Sequence, residues 1–279
     1  MLNIIKADLF RIFKGKAIYI IIGIFIINAF ISSYALGPLS MGLNLGGEYN
    51  EQNYGLNNEQ LDEFYSAESL EEMRDILLTN GDYKLDLANV SKNSSLYYIF
   101  IALVVIVICC EFSNNTIKNT ISSNISKKKY YFSKLVLALL LGTVLLFINT
   151  YLCYFVNIVI NGSTFSSSIS NITILTIKQL PLLWAIISIL TMISVITRKT
   201  SIYNGITIPL LMVFQLLLLG VVNLLKAPSW ILDYELETAL SKLCFASTNT
   251  YMIQLYSLWI GILVITTLIG YTYFKRRDI

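Results

Sequence analysis

Residues 135–160 read LVLALLLGTVLLFINTYLCYFVNIVI, 26 positions without an Asp, Glu, Lys or Arg. An α-helix rises about 1.5 Å per residue and the hydrocarbon core of a bilayer is about 30 Å thick, so about 20 apolar residues cross it. A run of this length can tilt or extend beyond the hydrocarbon. Five other stretches are equally free of charge: 17–36, 94–110, 179–197, 200–225 and 251–274. The stretch 94–110 is a little short and must borrow flanking residues. Six such runs in 279 residues predict an all-α integral membrane protein with six transmembrane helices.

Composition agrees. The chain is 56% hydrophobic and 13% charged, against about 45–50% apolar and about 25% charged in soluble domains. Its mean hydropathy is +0.67. These values exclude a water-soluble enzyme, a disordered chain and a nucleic-acid-binding module. Histidine is absent, which removes Ser-His-Asp and Cys-His catalysis, His-ligated zinc, histidine-ligated haem and the histidine-dependent membrane proteases. Of the four cysteines, Cys109, Cys110 and Cys153 lie in apolar runs and Cys244 lies outside the largest polar segment. They imply no disulfide framework and read as small buried hydrophobes.

Charge placement sets the expected orientation, because cytoplasmic loops carry the excess of Lys and Arg. Segments 1–16, 111–134, 198–199 and 275–279 hold 4, 5, 2 and 3 of the 20 basic residues. Segments 37–93, 161–178 and 226–250 hold 3, 1 and 2. Both termini are therefore expected to be cytoplasmic. Lys14 and Lys16 ahead of an apolar run ending near Ser33-Tyr34-Ala35 resemble a signal peptide. Signal h-regions are about 7–15 residues long, so 17–36 is read as a retained first span. Within residues 1–16, Leu2, Ile5, Leu9, Ile12 and Phe13 recur at helical spacing among Lys6, Asp8, Arg11, Lys14 and Lys16. This pattern predicts an amphipathic helix lying in the inner interface.

Two outer elaborations stand out. Residues 37–93 form an insert carrying 11 of the 17 acidic residues. Its opening, Gly37 to Gly55, is loop-like. Capping boxes then start at Asn57 with Gln60 and at Ser69 with Glu72, so a small helical extracytoplasmic cap is expected. Its acidic surface, including Glu63, Glu68, Glu71 and Glu72, either attracts cationic peptides or is simply solvated. In 226–250, Trp230 precedes Asp233, Glu235 and Glu237, which reads as one or two short helices at the outer interface.

No run contains an ionisable residue, which disfavours an ion-coupled carrier. No G-x-x-x-x-G-K-[ST] occurs, so the chain has no phosphate-binding loop of its own. Asn28, Asn149, Asn157, Asn204, Gln215 and Asn223 are the notable polar residues inside the runs. They are candidates to line a pathway or to hydrogen-bond between helices, the commoner role. Pro209 should kink the fifth span.

After the second run the chain reads Glu111-Phe112-Ser113-Asn114-Asn115-Thr116-Ile117-Lys118-Asn119-Thr120-Ile121, followed by Lys127-Lys128-Lys129 and the third run. Ile117, Ile121 and Ile125 fall at four-residue spacing and form an apolar stripe. Glu111 stands at the cytoplasmic boundary, where it can pair with a basic group on its own chain or on a partner. The stretch resembles the permease subunit of type-2 ABC exporters, in which an E-F-x-x-G-T-[IL]-K-like run ends the second span. Asn115 replaces the glycine of that pattern, a mild departure because Asn tolerates a left-handed backbone. The order of elements agrees along the chain: interfacial helix 1–16, first span 17–36, polar insert 37–93, and a five-span bundle over 94–279.

The resemblance, to bacteriocin- and antibiotic-resistance permeases, implies a coupling helix at about 113–125 within segment 111–134. Glu111, Phe112, Thr116, Ile117, Lys118 and Ile121 would carry coupling to the ATPase, with the isoleucine stripe buried in a groove of that partner. It also implies two ATPase subunits holding ATP and Mg, no cofactor on this chain, and a second permease copy or homologue. The setting would be the lipid of a bacterial cytoplasmic membrane, and the cargo a hydrophobic or amphipathic substrate such as an antimicrobial peptide. A sensory or scaffold membrane protein, whose acidic cap binds a ligand, is the alternative from another class.

Overall fold

The computed structural model describes residues 2–31, 66, 72, 90, 96–114, 116–117, 125–161, 168–226, 228–245 and 248–276. All regular structure among them is helical. α1 spans Leu2–Lys14 and α2 Ala17–Ile31. α3, Tyr97–Val104, passes through a π-helical turn, Val105–Cys109, into α4, Cys110–Ser113. The long helices are α5 (Lys127–Asn161), α6 (Ile169–Thr197) and α7 (Thr200–Leu224). A 3-10 turn, Ser229–Tyr234, and α8, Leu236–Phe245, then lead into α9, Asn249–Arg276.

Among the described residues, three helical stretches are long and apolar enough to cross a membrane: Lys127–Ile160, Ile169–Thr197 and Asn249–Arg276. The apolar stretches Ile18–Ile31 and Tyr97–Ser113 are shorter, rising about 21 and 26 Å. The second run borrows its extra residues at the C-terminal end, which draws Glu111 and Phe112 into helix. α5 begins at Lys127, so residues 127–134 belong to the long helix and not to a connecting segment. α6 likewise starts well before its apolar run, at Ile169, where the Ser168 hydroxyl accepts from the Asn171 backbone N–H at 3.3 Å.

α6 is the central helix, packed against α3, α5, α7, α8 and α9, most extensively α9. Two glycines permit its close contacts and those of α9. A Cβ on Gly142 would lie 2.3 Å from Ile187 Cδ1, and one on Gly270 would lie 2.5 Å from the Tyr131 hydroxyl. Small residues serve this purpose between apolar helices, where side-chain hydroxyls also act as glue. Ser188 Oγ lies 2.8 Å from Thr266 Oγ1 and 2.9 Å from Thr267 Oγ1 across the α6–α9 contact.

Around this core, large apolar side chains face outward. They include Ile20, Ile24 and Ile27 on α2, Ile206, Leu210 and Val213 on α7, and Val264, Ile265 and Leu268 on α9. A soluble surface rarely exposes contiguous patches of this kind, whereas lipid requires them. α1 departs from the simple amphipathic stripe. Ile12 is buried in the core and Ile5 and Leu9 pack against it, but Phe13 is exposed beside Phe10.

Candidate functional site

The helix ends rich in Lys and Arg come together. Ser113 Oγ, at the end of α4, lies 2.9 Å from Thr200 Oγ1, at the start of α7. Lys127 Nζ donates to the carbonyl of Lys275 at 3.4 Å, joining the start of α5 to the end of α9. The Arg198 guanidinium, just past the end of α6, sits 5.7 Å from the Phe112 ring centroid. Phe112 meets Phe274 edge-on at 6.2 Å, and Tyr130 stacks on Phe274 at 5.7 Å.

Inside this junction lies a buried ionic cluster. Asp8 is the single acid on α1, and its side chain faces inward with Ile12, one turn further on. Glu111 is delivered by the π turn. The Cys110 N–H bonds to the Val105 carbonyl five residues back, rather than the usual four. The extra residue rotates α4 by about 100° relative to an unbroken α-helix. α5 supplies Tyr130 and Lys134, four residues apart and so on one face.

Lys134 Nζ donates to Asp8 Oδ2 at 2.6 Å and to Glu111 Oε1 at 2.5 Å. The Tyr130 hydroxyl donates to Glu111 Oε2, and the Lys134 ammonium lies 5.3 Å from the Tyr130 ring centroid. Arg11 Nη1 pairs with Glu111 Oε1, while Nη2 lies 3.5 Å from Asp8 Oδ1 and donates to the Ile106 carbonyl at 3.4 Å. The side chains of Lys134, Glu111 and Asp8 are 3, 6 and 9% exposed, that of Arg11 42%. Two carboxylates are thus balanced by two cations, one sealed in and one at the surface. Burial pushes the Asp8 carboxyl above its ordinary range, against the pull of Lys134, and the neighbouring Glu111 adds to the rise.

The arrangement offers no nucleophile–base pair. Its physical capability is mechanical: it ties α1, α4 and α5 together through charge-assisted hydrogen bonds, the strong kind. Arg11 touches both carboxylates and a backbone carbonyl from the surface, so it is the member free to exchange with solvent. Among the described residues, no group of three or more His, Cys, Asp or Glu is placed to hold a metal ion.

The residues singled out in the sequence fall partly inside this junction and partly away from it. Glu111 and Phe112 are buried at the junction; Thr116 is exposed, its hydroxyl donating to the Glu111 carbonyl at 3.4 Å. Ile117 is 3% exposed and packs within this chain's own main core. Lys118 and Ile121 lie outside the described residues, as do Glu63, Glu68 and Glu71 of the acidic insert; Glu72 is exposed. Of the candidate pathway residues, Asn28 Nδ2 donates to Asn149 Oδ1 at 3.3 Å, bridging α2 and α5. Asn149 and Asn157 are buried, and Asn204 is half-buried on α7. Gln215 lies on α7, its side chain outside the described set.

Sequence reasoning finds Glu111 but not Asp8, Arg11, Tyr130 or Lys134. By charge alone Lys134 belongs with the solvated basic residues that set orientation, whereas it is buried between two carboxylates. One signal is available. Ahead of the C-terminal Asp278, Asp8 and Glu111 are the only acids in the four basic segments. Compared with family models, curated proteins and solved structures, the chain shows no match in any of the three.

Proposed function

We propose that this chain is the membrane-spanning permease subunit of an ATP-driven exporter, with six transmembrane helices and both termini cytoplasmic. Two ATPase subunits would bind ATP and Mg, and a second permease would complete the pathway for a hydrophobic or amphipathic substrate. The observation that carries this reading is the clamp on segment 111–134. Glu111 and Lys134, at the two ends of that segment, close on one another and on Asp8. A partner pushing on the residues between them would move α1, α4 and α5 as one body, where a free loop would absorb the push. The segment's resemblance to type-2 ABC permeases and the absence of a phosphate-binding loop support the same division of labour. The test is purification from native membranes in mild detergent, with retained proteins identified by mass spectrometry. A stoichiometric P-loop ATPase, active in the complex, is expected. Folded chain that purifies without an ATPase, or with a kinase in its place, overturns the reading in favour of a sensor.

A further inference from the structure

α1 has a second face that the ionic cluster does not use. Phe10 and Phe13 are 69 and 53% exposed. Lys6, Phe10 and Lys14 recur every four residues, Phe13 follows Phe10 by three, and the four therefore share that face. Lys14 Nζ lies 5.8 Å from the Phe10 ring centroid, and Lys16 is exposed just beyond. Exposed Tyr19 closes the α1–α2 turn by donating its hydroxyl to the Phe13 carbonyl at 3.2 Å. Open phenylalanines interleaved with lysines suit a lipid–water boundary, where rings enter the acyl region and lysine stems reach back to the headgroups. The surrounding charge fits one sign of headgroup. Lys128, Lys129, Lys199, Lys275 and Arg276 are all exposed at this end. Among the described residues, its two carboxylates, Asp8 and Glu111, are buried in the cluster.

We infer that the Phe10–Phe13–lysine face of α1 docks on anionic phospholipid headgroups, and that Asp8 and Arg11 relay this occupancy to Glu111 and Lys134. A soluble anion would satisfy the lysines but not the rings, so the occupant is the lipid itself. The inference rests on the membrane reading alone and needs no ATPase.

Hydrogen exchange of the full chain in nanodiscs tests it, comparing phosphatidylcholine with phosphatidylcholine doped with phosphatidylglycerol. α1 amides should exchange more slowly in the doped discs. Changing Lys6, Lys14 and Lys16 to Gln should remove that increment, at about fivefold per lysine. Phe10→Ala with Phe13→Ala should weaken α1 protection in both compositions. Asp8→Asn with Arg11→Gln should leave the α1 response but abolish any lipid response of residues 110–117. Equal α1 exchange in both discs, with α5 and α9 protected, overturns the proposal. So does equivalent protection from inorganic phosphate added to phosphatidylcholine discs. Unprotected α5 and α9 would overturn the membrane reading, and this proposal with it.

Discussion

Removing the Lys134 ammonium leaves Asp8 and Glu111 buried side by side, with only the half-exposed Arg11 to balance them. Breaking such a site by deleting one partner costs about 3–5 kcal/mol, because a charge is left without compensation. Lys134→Met should therefore lower the unfolding temperature of the detergent-solubilised chain strongly. Adding Asp8→Asn should recover much of the loss, since the remaining Glu111–Arg11 pair is again neutral. If the double variant is no more stable than the single one, the cluster is not held together by charge balance. Tyr130→Phe keeps the stacking on Phe274 and deletes one hydrogen bond to a charged acceptor, a loss of about 1.5–3 kcal/mol. At this scale the sequence is half legible. Glu111 announces itself as a lone acid at a span end. Its partners do not, because Lys134 and Arg11 carry the same charge as the solvated basic residues around them.

Among the elements, the α5–α9 contact allows little adjustment. A Cβ at Gly270 would strike the hydroxyl of Tyr131, a ring hemmed in by Phe132, Tyr271 and Phe274 and bonded to the Thr267 carbonyl. At Gly142 the obstacle is the terminal methyl of Ile187, which a turn about its last side-chain bond can displace. Gly270→Ala should thus destabilise by about 1–3 kcal/mol and Gly142→Ala by less, with Tyr131→Phe partly relieving the former. Thermal unfolding of the three variants decides this. Ile117→Ala removes a side chain from the main core and should cost about 2–5 kcal/mol in the isolated chain, before any partner is present.

α8 carries a pH dependence of its own. Glu235 caps the helix, its Oε2 accepting from the backbone N–H groups of Glu237 and Thr238 at 3.0 and 3.1 Å. Burial nevertheless outweighs these donors and lifts its carboxyl above the ordinary 4.5. The folded chain then holds that proton more tightly than the unfolded one. The associated stability is complete below pH 4.5 and declines as pH rises through the higher folded value. Glu235→Gln should flatten that slope in unfolding measured against pH. Element positions are largely readable from charge-free runs, yet α5 and α6 begin well outside theirs. Charge marks where lipid ends, while backbone hydrogen bonding carries a helix on into the headgroups and beyond.

For the molecule as a whole, orientation is the decisive expectation. In a cysteine-free background, a cysteine replacing exposed Thr248 should react with an impermeant thiol reagent on intact cells. One replacing exposed Lys128 should react only after lysis. The reverse pattern would put the ionic cluster outside and remove the ground for any cytoplasmic partner. The sorting of basic residues among segments is visible in the chain, and the contacts that gather those helix ends obey the same sorting. How the ends interlock is not visible, because hydropathy carries no information on rotation about a helix axis. The π turn at Val105–Cys109 makes this concrete. An apolar exchange anywhere in those five residues preserves the phase at which Glu111 emerges; loss of a single one does not. The inner assembly of this protein is therefore indexed by chain length as well as by residue type. A one-codon deletion there would leave every span as greasy as before, yet swing the acid out of register with α1 and α5.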